Sequence, residues 1–194
     1  MISAAILAGG RAIRYGGRNK SALVIEGRPI LDRQLDVLSR AADEVFVVGN
    51  APAPAGVKVV ADRIPGCGPI GGLHTALAEA RGEIVLVVAC DMPFVTTELL
   101  ACLARLCADA EAVVPRTERG YHPVCAAYRR TCLERVARRV SNGQLKMAEL
   151  LAEIAPRIVS ADDMAQFGDP DRLLANVNTP ADYGNIEALH SQEL

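Results

Sequence analysis

Tryptophan is missing from this chain, and aromatic residues make up only 4% of its 194 positions. A core without large rings must be assembled from Ala, Val, Leu and Ile, which suits strands buried on both faces. Charge of one sign is missing too. The 21 Lys and Arg against 23 Asp and Glu leave a net charge of −2. Global electrostatics therefore gives no case for binding nucleic acid or a membrane. No apolar run approaches the ~20 residues that span a bilayer, and the N-terminus lacks the charged and long apolar regions of a signal peptide. A cytoplasmic location is the expectation. Cysteines stand at 67, 90, 102, 107, 125 and 132, with no C-x-x-C pair. That spacing argues against a disulfide framework or structural zinc, and for reduced thiols.

What is present is enough apolar residue, 51%, for one sizeable core, so a single domain over 1–194 is expected. Short apolar runs alternate with helical patterns. Strands are predicted at Ser3–Leu7, Glu44–Val48, Val57–Val60, Ile84–Ala89 and Ala112–Val114, with one more at Arg157–Ser160. Helices are predicted at Leu31–Ala41, Gly72–Ala80, Thr97–Ala108, Cys132–Val140 and Lys146–Ile154. Leu31, Leu35 and Leu38 recur at helical spacing, as do Leu99, Leu103 and Leu106. Strand runs without polar alternation indicate a parallel sheet covered on both sides. Tyr121–Tyr128 (YHPVCAAY) has β character after a polar turn and is read as the start of an antiparallel excursion. The fold expected is a Rossmann-like three-layer α/β/α sandwich with a mostly parallel sheet. The polar tail after Leu189 is read as frayed.

In such sheets, ligands bind in the crevice at the carboxyl ends of the strands. The segments predicted there are LAGGRAIRYGGRNK (7–20), Gly49-Asn50, Asp62 and Cys90-Asp91-Met92-Pro93. The first carries two glycine pairs with Arg11, Arg14, Arg18 and Lys20, and it leaves a buried strand. Glycines let backbone N–H groups approach an anion, so phosphate binding is favoured over a plain surface turn. It is not a Walker A loop, because Arg18-Asn19 separates Gly17 from Lys20. Gly66–Gly71 fits G-x-G-x-x-G, yet Pro69 disrupts the turn and no strand directly precedes it. It is read as a turn-rich loop leading into the Gly72 helix. Asp91 follows a run of apolar residues, and a carboxylate there must face the crevice, because burying it unpaired is costly. One carboxylate with phosphate oxygens and water is a usual way to hold Mg²⁺; a turn or N-cap aspartate is the alternative. Asp62 has the same ambiguity. Two such carboxylates opposite a basic glycine loop favour a metal–nucleotide site.

Other candidates are weaker. His122 is carried as a contact to a second substrate, against a structural role. His74 is read as packing on or capping its helix. Lys146 is read as a solvated helix charge in preference to an anion handle. In Asn176–Pro180, Thr179 is an N-cap with Pro180 at the first helical position, and Asn178 is an alternative site residue.

Together these segments resemble the molybdenum cofactor guanylyltransferase family. LAGG followed by R-x-x-R-Y-G-G-x-N-K is similar to its L-A-G-G-x-x-x-R-M-G-x-x-K signature. DRIPGCGPIGG (62–72) is similar to D-x-x-x-G-x-G-P-L-x-G, and CDMPF (90–94) to its metal motif. HPV (122–124) and NVNTPADY (176–183) resemble later blocks in the same order, so the match runs from about Ile2 to Leu189. The resemblance implies a nucleotide-diphospho-sugar transferase-like fold. It implies that Leu7, Ala8 and Gly9 contact the nucleotide through backbone and Lys20 contacts its phosphates. Asp62 and Asn50 would lie on the nucleotide side, and Asp91 would be the Mg²⁺ ligand. Two departures are Tyr15 in place of Met and Asn19 in place of Asp.

The implied substrates are GTP and molybdopterin, joined by in-line attack at the α-phosphorus with loss of pyrophosphate. Such transfer needs positioning and charge neutralisation more than covalent chemistry. Lys20, with Arg11 or Arg14, would offset charge on the leaving pyrophosphate, and Asp91 would hold the metal. Transient contacts with cofactor-delivering and molybdoenzyme-maturation proteins are implied as well. The rival readings are a cytidylyltransferase for the same cofactor, a sugar-1-phosphate nucleotidyltransferase and a non-catalytic nucleotide binder. The cytidylyl branch tends to read LAAG. Gly10 would leave room for a purine, which favours GTP.

Overall fold

The first apolar run is buried on both sides, and this places it in the middle of a sheet. A computed structural model describes residues 1–9 and 23–177, with 182 and 184. The run forms β1 (Ile2–Ala8). A short hairpin follows, β2 (Val24–Ile25) and β3 (Arg28–Pro29), turned by Glu26 and Gly27 at φ of +49° and +77°. The chain continues through α1 (Ile30–Ala41), β4 (Glu44–Gly49), β5 (Lys58–Val60) and α2 (Gly68–Glu79). Next come β6 (Ile84–Ala89), α3 (Thr97–Leu106), β7 (Ala112–Thr117), β8 (Gly120–Tyr121) and β9 (Cys125–Arg129). It continues with α4 (Leu133–Ser141), α5 (Met147–Ile154), β10 (Arg157–Val159), α6 (Ala161–Met164) and α7 (Pro170–Leu173).

The main sheet has the order β10-β7-β9-β6-β1-β4-β5, with β8 paired to β7. β1 pairs in parallel with both β4 and β6, while β9 runs antiparallel to β6 and β7. From β1 the chain moves outward to β4 and β5, then returns to the other flank of β1 as β6. That reversal opens a crevice at the carboxyl ends of the strands.

Period-two alternation sorts the side chains into two layers. Ala4, Ile6, Val47, Leu86 and Val88 meet α1 and α3 through Leu31, Leu38, Leu99 and Leu103. Ala5, Leu7, Phe46, Val48, Val85 and Val87 meet α2, α4 and α5 through Leu73, Leu77, Val136 and Leu150. The expected three-layer, mostly parallel architecture is what forms.

Three expectations need correction. The second helix starts at Gly68, not Gly72, so Gly68–Gly71 are helical rather than loop. Pro69 falls in the first turn, where a missing N–H costs nothing and a fixed φ helps. The β character of Tyr121–Tyr128 splits into β8 and β9, because Pro123 cannot donate to a ladder. β7 runs on past Val114 to Thr117, since Arg116 and Thr117 pair with Tyr121 and Gly120. The β2–β3 hairpin and helices α6 and α7 were not expected. Most other boundaries fall within one or two residues of those expected.

Gly49, at the end of β4, has a φ of +121°, and a Cβ there would lie 2.7 Å from Ala8 C and Gly9 N. Glycine alone lets the two strand ends approach this closely. The Gly49→Ala variant should lose at least about 2 kcal/mol of stability in urea unfolding.

Candidate active site

Four strand ends converge at the crevice. β1 delivers Ala8 and Gly9, β4 delivers Asn50, β5 delivers Asp62 and β6 delivers Asp91. The register pairs Ala8 with Gly49 and Leu7 with Ala89, so β1 lies between the segments carrying Asn50 and Asp91. Asp62 reaches in from two strands away: a Cβ on Gly9 would stand 2.5 Å from Asp62 Oδ2. A side chain on Gly9 would therefore have to displace the Asp62 carboxylate. Leu7 contributes mainly to the core. It is 8% exposed, its side chain packs under Gly72 of α2, and its carbonyl accepts from Cys90 N–H at 3.1 Å.

The turn carrying Asp91 is held from several directions. Ala89 O accepts from Met92 N–H at 3.2 Å, which closes a tight turn with Cys90 and Asp91 at its centre. Ala89 N–H donates to Val124 O at 2.7 Å, and Asp91 O accepts from Val177 N–H at 2.7 Å. From α1, the Gln34 amide donates to Ala89 O at 2.7 Å and to Met92 O at 2.9 Å. Gln34 was missed in the sequence reading. The signal was there, because it interrupts the buried stripe of Ile30, Leu31 and Leu38 on α1.

Asp62 is electrostatically exposed to burial. Its Oδ1 is buried and takes no hydrogen bond among the described residues. Burial holds its carboxyl above the usual value near 3.8. Such an oxygen is suited to a cation or a hydrogen-bond donor brought by a ligand.

On the far side of β6, loop 122–124 and the β7–β8 hairpin border the crevice. His122 Nε2 lies 3.0 Å from Thr117 Oγ1. Burial depresses the His122 pKa and Arg119 adds to this, with Asp171 opposing. The ring is therefore neutral near neutral pH. Tyr128 is fully buried and its hydroxyl donates to Pro123 O at 2.7 Å, fixing this loop. Arg116 lies over the exposed Tyr121 ring, 5.3 Å from its centroid.

A satellite cluster of Ile25, Ile30, Phe94, Ala175 and Val177 joins the β2–β3 hairpin to the residues after Asp91. Around it, Glu26 pairs with Arg33 at 2.6 Å and Arg172 at 3.4 Å. Arg172 stacks over Phe94 at 4.7 Å, and Ile30 N–H donates to Leu23 O at 2.9 Å.

Of the remaining candidates, Lys146 is solvated, with its side chain 80% exposed and paired to Glu149 at 3.2 Å. His74 sits half-buried on α2, its pKa lowered by burial and by Arg63. Gly10, Arg11, Arg14, Arg18, Lys20, Asn178, Thr179 and Pro180 lie outside the described residues.

The model of the MobA-like NTP transferase domain matches residues 4–158, which takes in all four strand ends of the crevice. The chain belongs to the MobA-like NTP transferase family. It is a nucleotidyltransferase by that membership. It is 32% identical over 189 residues to a protein named probable molybdenum cofactor guanylyltransferase in Clostridium perfringens strain ATCC 13124, covering 95% of each chain. The crystal structure of molybdopterin-guanine dinucleotide biosynthesis protein A from Archaeoglobus fulgidus superposes with a TM-score of 0.79. That match has 24% identity and covers 98% of this chain and 99% of the other. A Mycobacterium tuberculosis protein solved as a complex with manganese superposes with a TM-score of 0.62 at 23% identity, covering 91% and 99%. These structural likenesses establish the MobA-like fold over nearly the whole chain.

Asp62 yields a test. Its folded-state pKa is raised, so the folded chain keeps the proton to higher pH than the unfolded chain does. Its contribution is most favourable below about 3.8, and it declines as pH rises through the raised value. The ligand-free Asp62→Asn variant should melt above the parent protein at pH 7, and the gap should close towards pH 3.

Proposed function

We propose that the protein transfers GMP from GTP to the terminal phosphate of molybdopterin, releasing pyrophosphate and forming molybdopterin guanine dinucleotide. The observation that carries this reading is the placement of Asp62 and Asp91 after the carboxyl ends of β5 and β6, with the Asp62 carboxylate set against Gly9 at the end of β1. It occurs in a chain related along 95% of its length to a protein named for that activity.

In this reading the nucleotide lies over β1, β4 and β5. Backbone at Leu7, Ala8 and Gly9 approaches it, with Asn50 and Asp62 on its flank. Gly10 leaves room for a purine. Lys20 and Arg14 neutralise charge that builds on the leaving pyrophosphate.

Asp91 is the metal ligand in this reading, with Asp62 on the nucleotide side. Carboxylate oxygens are the donors that Mg²⁺ takes, one or two at a time, together with phosphate oxygens and water. The buried Asp62 Oδ1 fits that demand. Mg²⁺ supplies charge neutralisation at the phosphate oxygens.

The acceptor phosphate approaches from the β7–β8 side, opposite the leaving group. Arg116 and neutral His122 are the polar groups at hand there. The attacking phosphate is already ionised near neutral pH, so His122 serves as a hydrogen-bonding contact and no strong base is needed. The reading places the protein in the cytoplasm, with transient contacts to cofactor-delivering and molybdoenzyme-maturation proteins.

Pyrophosphate release in the presence of molybdopterin, compared for GTP, CTP and UTP, tests this directly. GTP should be used at least about tenfold better than either pyrimidine nucleotide. A CTP preference would make the protein a cytidylyltransferase, and no release with any nucleotide would make it a binder. Asp91→Ala should cost at least about 10²- to 10³-fold in rate while the protein stays folded; near-normal turnover would sink the metal assignment.

A further inference from the structure

Gln34 is fully buried on the core face of α1, where Leu31 and Leu38 are its helical neighbours. A primary amide in that position is unfavourable unless its hydrogens are used. Both are used on one short stretch of chain. Nε2 donates to Ala89 O and to Met92 O, the first and last carbonyls of the turn that contains Asp91. The amide has only one workable orientation, because reversed it would set Oε1 against two carbonyl oxygens.

The other anchors of this turn come from within the sheet layer or from the chain beyond it. Leu7 O holds Cys90 N–H, Val124 O holds Ala89 N–H, and Val177 N–H holds Asp91 O. Among the described residues, Gln34 ties the turn to the helical layer, and it spans the turn from end to end. An apolar residue would serve packing on this face equally well. The two donors are what packing does not explain.

We propose that Gln34 is a positioning residue, fixing the turn so that the Asp91 carboxylate stands where a divalent cation bound with the nucleotide requires it. This rests on the reading of Asp91 as a metal ligand. Groups that orient a ligand without touching the metal commonly change affinity 10- to 100-fold when lost. A slack turn would let the carboxylate wander, while the strand ends that hold the nucleotide would be unaltered.

The test titrates Mn²⁺ into the protein–GTP complex, read by electron paramagnetic resonance, for the parent protein, Gln34→Leu, Gln34→Met and Asp91→Asn. Both Gln34 variants should bind Mn²⁺ about tenfold more weakly. Their GTP affinity without metal should stay within about twofold of the parent, since the proposal leaves that site alone. A merely structural role would lower the melting temperature and leave Mn²⁺ affinity at the parent value, and that result overturns the proposal. Asp91→Asn separates the two layers of argument. If it binds Mn²⁺ like the parent, the metal assignment itself fails. If it loses Mn²⁺ while the Gln34 variants keep it, only the positioning role fails. A measurement on the unaltered protein covers the case in which neither Gln34 variant folds. The Gln34 side-chain amide protons should exchange slowly with solvent and shift in NMR spectra when Mg²⁺ is added to the GTP complex. Signals that stay fixed through that addition also overturn the proposal.

Discussion

The last rung between β1 and β6, from Cys90 N–H to Leu7 O at 3.1 Å, sets the level at which the two central strands end. Parallel strands fix each other's register along their length, and a slip of one residue would invert every side chain between the two layers. With Leu7 opposite Ala89, Gly9 and Asp91 emerge at the same height. The β4 partner, Ala8 opposite Gly49, brings Asn50 to that level as well. The crevice is therefore a consequence of register, and the helices on either face hold that register by burying alternate residues.

The carboxylate of Asp62 shows the opposite balance. It is carried in towards β1 and left with one buried oxygen that takes no hydrogen bond among the described residues. Local stability is given up at a place where a ligand can restore it, which is a common arrangement at functional sites. Space is tight here: a methyl group on Gly49 would run into the β1 backbone, and one on Gly9 would displace the Asp62 carboxylate.

Much of this was legible in the chain. Continuous apolar runs announce a sheet covered on both faces, and the strand-end rule points to Asn50, Asp62 and Asp91. What stayed hidden depended on contacts distant in sequence. Gln34 reads as a polar residue on a helix until the turn 55 residues later is placed against it. The hairpin at Val24–Pro29 has strands of only two residues each, too short to show alternation. Gly68–Gly71 read as loop because glycine and proline punctuate loops more often than they start helices, whereas here Pro69 takes the first turn of α2.

The satellite cluster around Phe94 has a consequence for how such a protein can change. The signature segment departs from β1 at Gly9 and is received at Leu23, whose carbonyl is pinned by the first turn of α1. Ile25 and Ile30, with Leu23 packed against them, tie this end of the chain to Phe94, just after Asp91. Val177, a member of the same cluster, donates its N–H to Asp91 O. A substitution at Ile25, Ile30 or Phe94 is therefore felt at the turn that carries Asp91, so this small cluster is constrained by more than its own packing.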